Sequence, residues 1–166
     1  MTDTIGFIGL GVLGSAMAGN LVKGGFPVIG CDIDPEKMTA LEDDGGQSAT
    51  SPKDVAESAD VVILCLPTAA VLHDVVDELK DGGGEGQIIL EVSTFAIADK
   101  EQARDTLAAA GKILLDCPVS GNRILALKKQ LTAFGSGDEA AYKAVEHVID
   151  GFAHRKFYVG EFGCGM

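Results

Sequence analysis

The chain has 166 residues, and its 13 basic and 25 acidic side chains give a formal net charge of −12 at pH 7. This length predicts one compact domain, and the acidity would repel phosphate backbones and anionic lipid surfaces, so we expect no nucleic-acid or membrane partner. With 46% hydrophobic residues and 22 glycines, the composition is typical of a folded α/β protein and excludes a disordered chain.

Short apolar segments alternate with longer segments of helical period, which predicts a Rossmann-like, doubly wound α/β fold: a mostly parallel sheet with helices on both faces. The predicted strands are residues 4–9, 27–32, 60–66, 86–92 and 112–116, with a short third strand near 47–49. The predicted helices are residues 12–24, 35–44, 52–58, 69–80 and 97–110. Asp34 and Ser51 each precede a proline, a pattern that indicates a helix start.

After Asp116 the pattern predicts a polar loop, a strand at 130–135, a helix at 138–150 and a strand at 155–159, which extend the same sheet. In this interpretation residues 1–160 form the domain, and residues 161–166 begin a connection to a second domain.

The cysteines and histidines are scattered along the chain. Cys31, Cys65 and Cys117 lie in or at the end of apolar runs and Cys164 stands apart, which favours reduced core thiols. Neither a zinc-ligand spacing nor a hydrolase triad is present, so we expect no metal. The sequence also shows no basic, apolar leader and no apolar run of about 18 residues, which predicts a cytoplasmic location.

The first predicted strand runs into a glycine-rich motif, Gly9-Leu10-Gly11-Val12-Leu13-Gly14, which is followed at once by a helical segment. Gly9 permits a tight turn, Gly11 allows close approach to a pyrophosphate, and Gly14 lets the helix pack closely on the strand. The N–H groups at the helix start supply a positive field for phosphates in an otherwise acidic protein. The motif is therefore the predicted dinucleotide-binding loop.

Asp32 ends the second predicted strand, 18 residues after Gly14, close to the offset of about 20 residues expected of a ribose-binding acid. A carboxylate there accepts hydrogen bonds from the ribose hydroxyls and repels a 2′-phosphate, so we predict NAD as the cofactor in preference to NADP. The alternative is that Asp32 is a turn residue beside Asp34.

The whole chain resembles the amino-terminal NAD-binding domain of the β-hydroxyacid dehydrogenases, the family of 3-hydroxyisobutyrate, tartronate semialdehyde and 6-phosphogluconate dehydrogenases. The segments that carry the resemblance are residues 6–11, residues 60–67, Ser93-Thr94 and Asp116-Cys117-Pro118-Val119-Ser120-Gly121. The resemblance implies that Leu66 and Pro67 line the adenosine and ribose path and that Thr94 lies beside the nicotinamide. Both segments follow predicted parallel strands, where open α/β sheets bind ligands. A helix cap at Ser93 or Thr94 and a plain loop role for Pro67 are the alternatives.

By the same resemblance, Ser120, Gly121 and Asn122 bind the carboxylate of the substrate. The sequence departs from the family here, because Asn122-Arg123 stands where a second glycine is usual. Asn tolerates a left-handed backbone, which would preserve the turn. Arg123 is either a ligand for a carboxylate or phosphate, or a solvated loop arginine. Asp116, two residues before Pro118, is interpreted as a turn residue, with a general base as the alternative.

The resemblance implies hydride transfer between the nicotinamide and a short hydroxy acid, by a full-length homodimer or homotetramer. The family's catalytic lysine would follow Met166 directly, with a helical domain after it, so no catalytic residue is predicted within residues 1–166. We interpret Lys112, Lys128, Lys129 and Lys156 as solvated surface charges. We expect this chain alone to bind cofactor with little turnover. An imine or semialdehyde reductase and a non-catalytic dinucleotide-sensing or regulatory module are the competing interpretations.

Overall fold

The computed structural model describes residues 2–166, and its central sheet has six parallel strands. They are β1 (Ile5–Ile8), β2 (Val28–Cys31), β3 (Gln47–Ser48), β4 (Val61–Leu64), β5 (Ile88–Glu91) and β6 (Ile113–Asp116). Their spatial order is β3-β2-β1-β4-β5-β6. The chain therefore reverses direction across the sheet between β1 and β4, and this switch point is where open α/β sheets bind ligands.

The helices are α1 (Val12–Lys23), α2 (Pro35–Asp43), α3 (Pro52–Ser58), α4 (Ala69–Leu79), α5 (Ile97–Ala109), α6 (Arg123–Leu127) and α7 (Glu139–Phe152). The sequence prediction of the first five is confirmed, as are the caps: the Asp34 carboxylate accepts a hydrogen bond from Glu36 N, and Ser51 Oγ accepts one from Asp54 N. Helices α2 and α3 therefore begin where a side chain replaces the missing backbone partners of the first turn.

Alternate strand residues face opposite sides of the sheet, and both sides are covered. Phe7 and Ile63 belong to a core with α1 and α7, whereas Ile8 and Leu64 belong to a second core with α3, α4 and α5. A parallel sheet buried on both faces explains why its strands are continuous apolar runs. The predicted Rossmann-like fold with helices on both faces is confirmed.

The prediction that the chain after Asp116 extends the same sheet is wrong. Three further strands, β7 (Val119–Ser120), β8 (Leu131–Gly135) and β9 (Ala153–Tyr158), form a separate sheet in the order β7-β8-β9. An antiparallel bridge between Asp116 and Ser136 connects it to the end of β6. Pro118 lacks an N–H group and cannot donate to a sheet at this point, and the short helix α6 occupies part of the predicted loop.

Two lysines are buried, Lys100 and Lys112. The sequence analysis interpreted Lys112 as a surface charge. Lys112 is 4% exposed, with its Nζ 3.3 Å from Gln87 Oε1, so its interpretation as a surface charge is wrong, and desolvation lowers the pKa of Lys112. Lys100, which the sequence analysis did not single out, is fully buried. Lys128 and Lys129 are exposed, as expected.

Within residues 2–166, no set of three or more His, Cys, Asp or Glu side chains is placed to hold a metal ion. Among the helices that the structure describes, none combines the length and apolar character needed to cross a membrane.

Candidate cofactor site

The turn between β1 and α1 is built so closely that two of its glycines have no room for a side chain. Gly9 has a φ of +94°, and a Cβ on it would lie 2.0 Å from the carbonyl oxygen of Cys65. A Cβ on Gly14 would lie 2.0 Å from the carbonyl oxygen of Gly9. Both distances are far below van der Waals contact. The two glycines therefore bring α1 against the ends of β1 and β4.

Gly11 has the opposite surroundings. A Cβ on this residue would meet no protein atom within 4 Å, and Gly11 is the N-cap of α1 without any side-chain capping bond. Val12, which begins the helix, is 64% exposed. An open backbone surface with uncapped N–H groups fits a pyrophosphate, which would accept hydrogen bonds from the helix start.

Asp32 lies directly beside this loop, after the last residue of β2. Its Oδ2 accepts a hydrogen bond of 2.7 Å from the N–H of Leu10, and its Oδ1 accepts one of 2.9 Å from the N–H of Asp34. The carboxylate therefore orders its own turn and also joins it to the glycine loop. Because each carboxylate oxygen accepts more than one hydrogen bond, capacity remains for ribose hydroxyls.

The ends of β4 and β5 are joined by a side chain. The N–H of Leu66 donates to Ser93 Oγ over 2.8 Å, while Leu66 itself is buried and Pro67 and Thr94 are exposed. The alternative that Ser93 or Thr94 caps a helix is wrong, since α5 begins at Ile97 with Ala96 as its N-cap. Pro67 and Thr94 thus lie at the exposed carboxyl edge of the sheet.

Behind this edge lies a fully buried ionic cluster that sequence reasoning missed. Lys100 Nζ is 2.9 Å from Glu91 Oε2 and 2.5 Å from Asp116 Oδ1, and all three side chains are completely buried. Asp116 is therefore an ion-paired residue at the end of β6, and its interpretation as a turn residue is wrong. Glu91 and Asp116 are neighbours in the register of β5 and β6. Two acidic residues that each end a buried strand indicate that a cation is buried between them, and this was the signal in the sequence that could have predicted the cluster.

The predicted substrate-binding turn follows β7. Gly121 has a φ of +142°, whereas Asn122 is extended with a φ of −115°, so the expectation of a left-handed Asn122 is wrong. Instead, Asn122 Oδ1 accepts a hydrogen bond from the N–H of Leu125 and caps α6. Ser120 and Arg123 are exposed on either side of this turn.

The helix α6 is anchored on the cofactor helix. The side-chain amide of Asn20 in α1 donates to the carbonyl oxygen of Ala126 in α6 over 2.6 Å. The structure therefore brings the loop after β7 onto the helix that begins at the glycine loop.

Comparisons with known proteins agree with this geometry. The family model for the NAD binding domain of 6-phosphogluconate dehydrogenase matches residues 4–160. Mitochondrial 3-hydroxyisobutyrate dehydrogenase from Homo sapiens is 32% identical over 168 residues, covering 98% of this chain and 49% of the relative. The solved structure of 3-hydroxyisobutyrate dehydrogenase from Mycobacterium tuberculosis has a TM-score of 0.96 at 29% identity, covering 99% of this chain and 57% of that one. A structure of Psf3 in complex with NADP+ and 2-OPP has a TM-score of 0.92 at 28% identity, covering 97% of this chain and 58% of that one.

The fold and the glycine loop define a dinucleotide-binding domain of the Rossmann type. The chain belongs to the family of the NAD-binding domain of 6-phosphogluconate dehydrogenase, and it is similar in sequence and structure to 3-hydroxyisobutyrate dehydrogenases. The chain spans about half the length of the curated relatives it matches.

Proposed function

We propose that this chain is the cofactor-binding part of an NAD-dependent dehydrogenase or semialdehyde reductase that acts on a short hydroxy acid carrying a carboxylate. The observation that carries the proposal is the glycine loop. Gly11 presents open backbone at an uncapped helix start, and Asp32 is hydrogen-bonded to that loop through Leu10 N. We assign the assembled protein to the cytoplasm, as a homodimer or homotetramer.

When bound, the nicotinamide supplies or accepts a hydride. In this proposal the N–H groups at the start of α1 bind the pyrophosphate, and Asp32 accepts hydrogen bonds from the adenosine ribose. Leu66 and Pro67 line the path of the adenosine and ribose, and Thr94 lies beside the nicotinamide. Exposed Pro67 and Thr94 at the carboxyl edge of the sheet support these roles.

Asp32 is the reason to propose NAD and not NADP. A 2′-phosphate on the ribose would place a second anion beside this carboxylate, and both carboxylate oxygens already accept hydrogen bonds from backbone N–H groups that fix their position. The similar Psf3 is in complex with NADP+, which makes NADPH the competitor against which the preference of this chain is measured.

For the substrate, we propose that Ser120, Gly121 and Asn122 bind the carboxylate through a hydroxyl and backbone N–H groups. The exposed Ser120 and the position of the turn on α1 support this assignment. Lys100 and Lys112 are buried in other contacts, so we propose neither as the proton-transferring group.

The test is a fluorescence titration of the chain with NADH and NADPH. We expect NADH to bind at least about tenfold more tightly, equivalent to roughly 1.4 kcal/mol. Tighter binding of NADPH would overturn the cofactor preference, and no binding of either would overturn the function. Oxidation of 3-hydroxyisobutyrate with NAD by the complete gene product then tests the substrate class.

A further inference from the structure

Lys100 is held at three points by groups from different parts of the fold. Its Nζ donates to the carbonyl oxygen of Ser93 over 2.6 Å and to Asp116 Oδ1 over 2.5 Å, and lies 2.9 Å from Glu91 Oε2. An ammonium group has three N–H donors. Two of them are used in the hydrogen bonds to Ser93 and Asp116, whereas Glu91 Oε2 is an ion-pair partner that accepts no hydrogen bond. The side chain is completely buried, and these contacts fix the position of its ammonium group.

Stability alone is a weak reason for such a cluster. Replacing a buried ion group by apolar side chains of similar size is often neutral or stabilising, because the attraction only offsets the desolvation of the charges. Here two carboxylates share one ammonium, and burial raises the pKa of Glu91. What the cluster provides is a fixed geometry for the groups around it.

The group most directly fixed is Ser93. Its carbonyl oxygen accepts from Lys100, its N–H donates to Glu91 Oε1 over 2.9 Å, and its Oγ accepts from the N–H of Leu66. Ser93 is therefore restrained on its backbone and its side chain, and Thr94 follows it as an exposed residue. The conformation of the turn after β5 is thus fixed by contacts with the buried side chains of Lys100 and Glu91.

The cluster also reaches the last residues of the chain. Asp116 Oδ2 is 3.2 Å from Ser136 Oγ, which in turn accepts a hydrogen bond of 3.1 Å from the N–H of Gly163. Lys100 thus lies at the centre of a network that joins the ends of β5 and β6 to β8 and the C-terminal segment. This network lies at the carboxyl edge of the sheet, where ligands bind in open α/β folds.

We propose that Lys100 is a positioning residue, which holds the Ser93-Thr94 turn in the shape that the nicotinamide half of the cofactor requires. The inference rests on the proposed function. Lys100 itself is buried and touches no ligand. The adenosine half, bound at the glycine loop and Asp32, depends on Lys100 only weakly, through the hydrogen bond from Leu66 to Ser93.

The test compares Lys100→Met with Lys112→Met, which removes the other buried lysine at the opposite edge of the sheet. Binding of NADH and of ADP-ribose is measured by calorimetry for both variants and for the wild type. We expect Lys100→Met to weaken NADH binding about tenfold, the effect of a misplaced contact of roughly 1.4 kcal/mol. We expect its ADP-ribose affinity to fall about twofold or less, since the adenosine half keeps its contacts. Lys112→Met leaves the ratio of the two affinities unchanged, although both variants melt at lower temperature.

The outcomes separate the two proposals. A wild type that binds neither compound contradicts the proposed function. A wild type that binds both, with the same affinity ratio in Lys100→Met, overturns the role of Lys100. A second variant with Lys100→Met, Glu91→Gln and Asp116→Asn leaves no unpaired buried charge and so avoids the main folding penalty of the single change. It should show the same selective loss for NADH, and an unchanged ratio in it overturns the inference as well.

Discussion

The carboxylate of Asp32 accepts a hydrogen bond of 2.7 Å from the N–H of Leu10, so the acid at the end of β2 is joined to the glycine loop at the end of β1. The two interpretations of Asp32, a turn residue and a ribose ligand, are therefore compatible. By ordering the turn with Asp34 N as well, the carboxylate is preorganised, and a ligand does not have to immobilise it.

We predict that Asp32→Ala weakens NADH binding by about 10- to 100-fold, because hydrogen bonds to a charged group contribute roughly 1.5–3 kcal/mol. The discrimination against NADPH should shrink at the same time. Asp34→Ala is the matched control, since it removes a neighbouring carboxylate that only caps α2 through Glu36 N. That control should lower the melting temperature and leave the NADH to NADPH ratio intact. Equal effects of both variants on the ratio would contradict the role of Asp32.

Two glycines of the same loop should respond oppositely to alanine. Gly11→Ala introduces a Cβ that meets no protein atom within 4 Å, so we expect normal thermal stability but loss of NADH binding, because the methyl group occupies the space of the pyrophosphate. Gly14→Ala places its Cβ 2.0 Å from the carbonyl oxygen of Gly9. That variant should unfold at a markedly lower temperature, since the helix must move off the strand. Thermal denaturation with and without NADH distinguishes the two, and unimpaired NADH binding by Gly11→Ala would contradict the site.

The sequence is sufficient for the central sheet, because its signals are local. Buried parallel strands are continuous apolar runs, and Asp34 and Ser51 cap their helices through contacts two or three residues away. The same holds for the glycine loop, whose motif and helix are contiguous. The backbone geometry of this loop follows directly from the glycines at positions 9, 11 and 14.

The features that the sequence did not predict depend on distant partners. Lys100 lies within a polar helical segment, and its burial follows from Glu91 and Asp116 on two other elements. Its spacing to Ala103 and Leu107 is the one local sign, since these two buried residues share its face of α5. The separate second sheet likewise depends on the pairing of β8 with β7 and β9, which the order of elements does not specify.

The buried carboxyl of Glu91 should give the fold a measurable pH dependence. Burial raises the pKa of Glu91 above its usual value of 4.5. A carboxyl with a higher pKa in the folded than in the unfolded chain stabilises the fold fully below the unfolded pKa, and this contribution is lost as the pH rises through the folded pKa. Glu91→Gln removes the ionisation and keeps an acceptor for Ser93 N. Relative to the wild type, we therefore expect this variant to gain free energy of unfolding as the pH increases from about 4 to about 8.

Urea denaturation across that pH range measures the difference. Glu101→Gln, at an exposed position on α5, serves as the control and should differ from the wild type by a nearly constant amount. Parallel stability curves for Glu91→Gln and the wild type would show that Glu91 does not titrate in the expected direction.

The thiols should differ sharply in reactivity. Burial raises the pKa of Cys65 to about 11 and that of Cys117 to about 12, and the pKa of Cys31 is raised as well. Because the thiolate is the reactive form, these residues should react slowly with a disulfide reagent at about pH 8. Cys164 is exposed and should react first. We expect one thiol per folded chain to react rapidly with the reagent, and no thiol to react rapidly in Cys164→Ser. Rapid reaction of a second thiol in the folded wild type would contradict this prediction.

A last prediction concerns the backbone just after α6. Lys129 has a φ of +56°, in the left-handed region, although it carries a side chain. That conformation costs a non-glycine residue roughly 1–2 kcal/mol. Glycine avoids this cost, but it loses more conformational entropy on folding, which destabilises the fold by roughly 0.5–1 kcal/mol. Lys129→Gly should therefore stabilise the fold, by about 0.5–1 kcal/mol, or about 2 °C in melting temperature. Lys128, which precedes it with a φ of −87°, gains no such relief, so Lys128→Gly should melt at a lower temperature than the wild type. Both glycine variants remove one exposed positive charge, so an equal shift in both would mean that charge, and not backbone conformation, determines the effect.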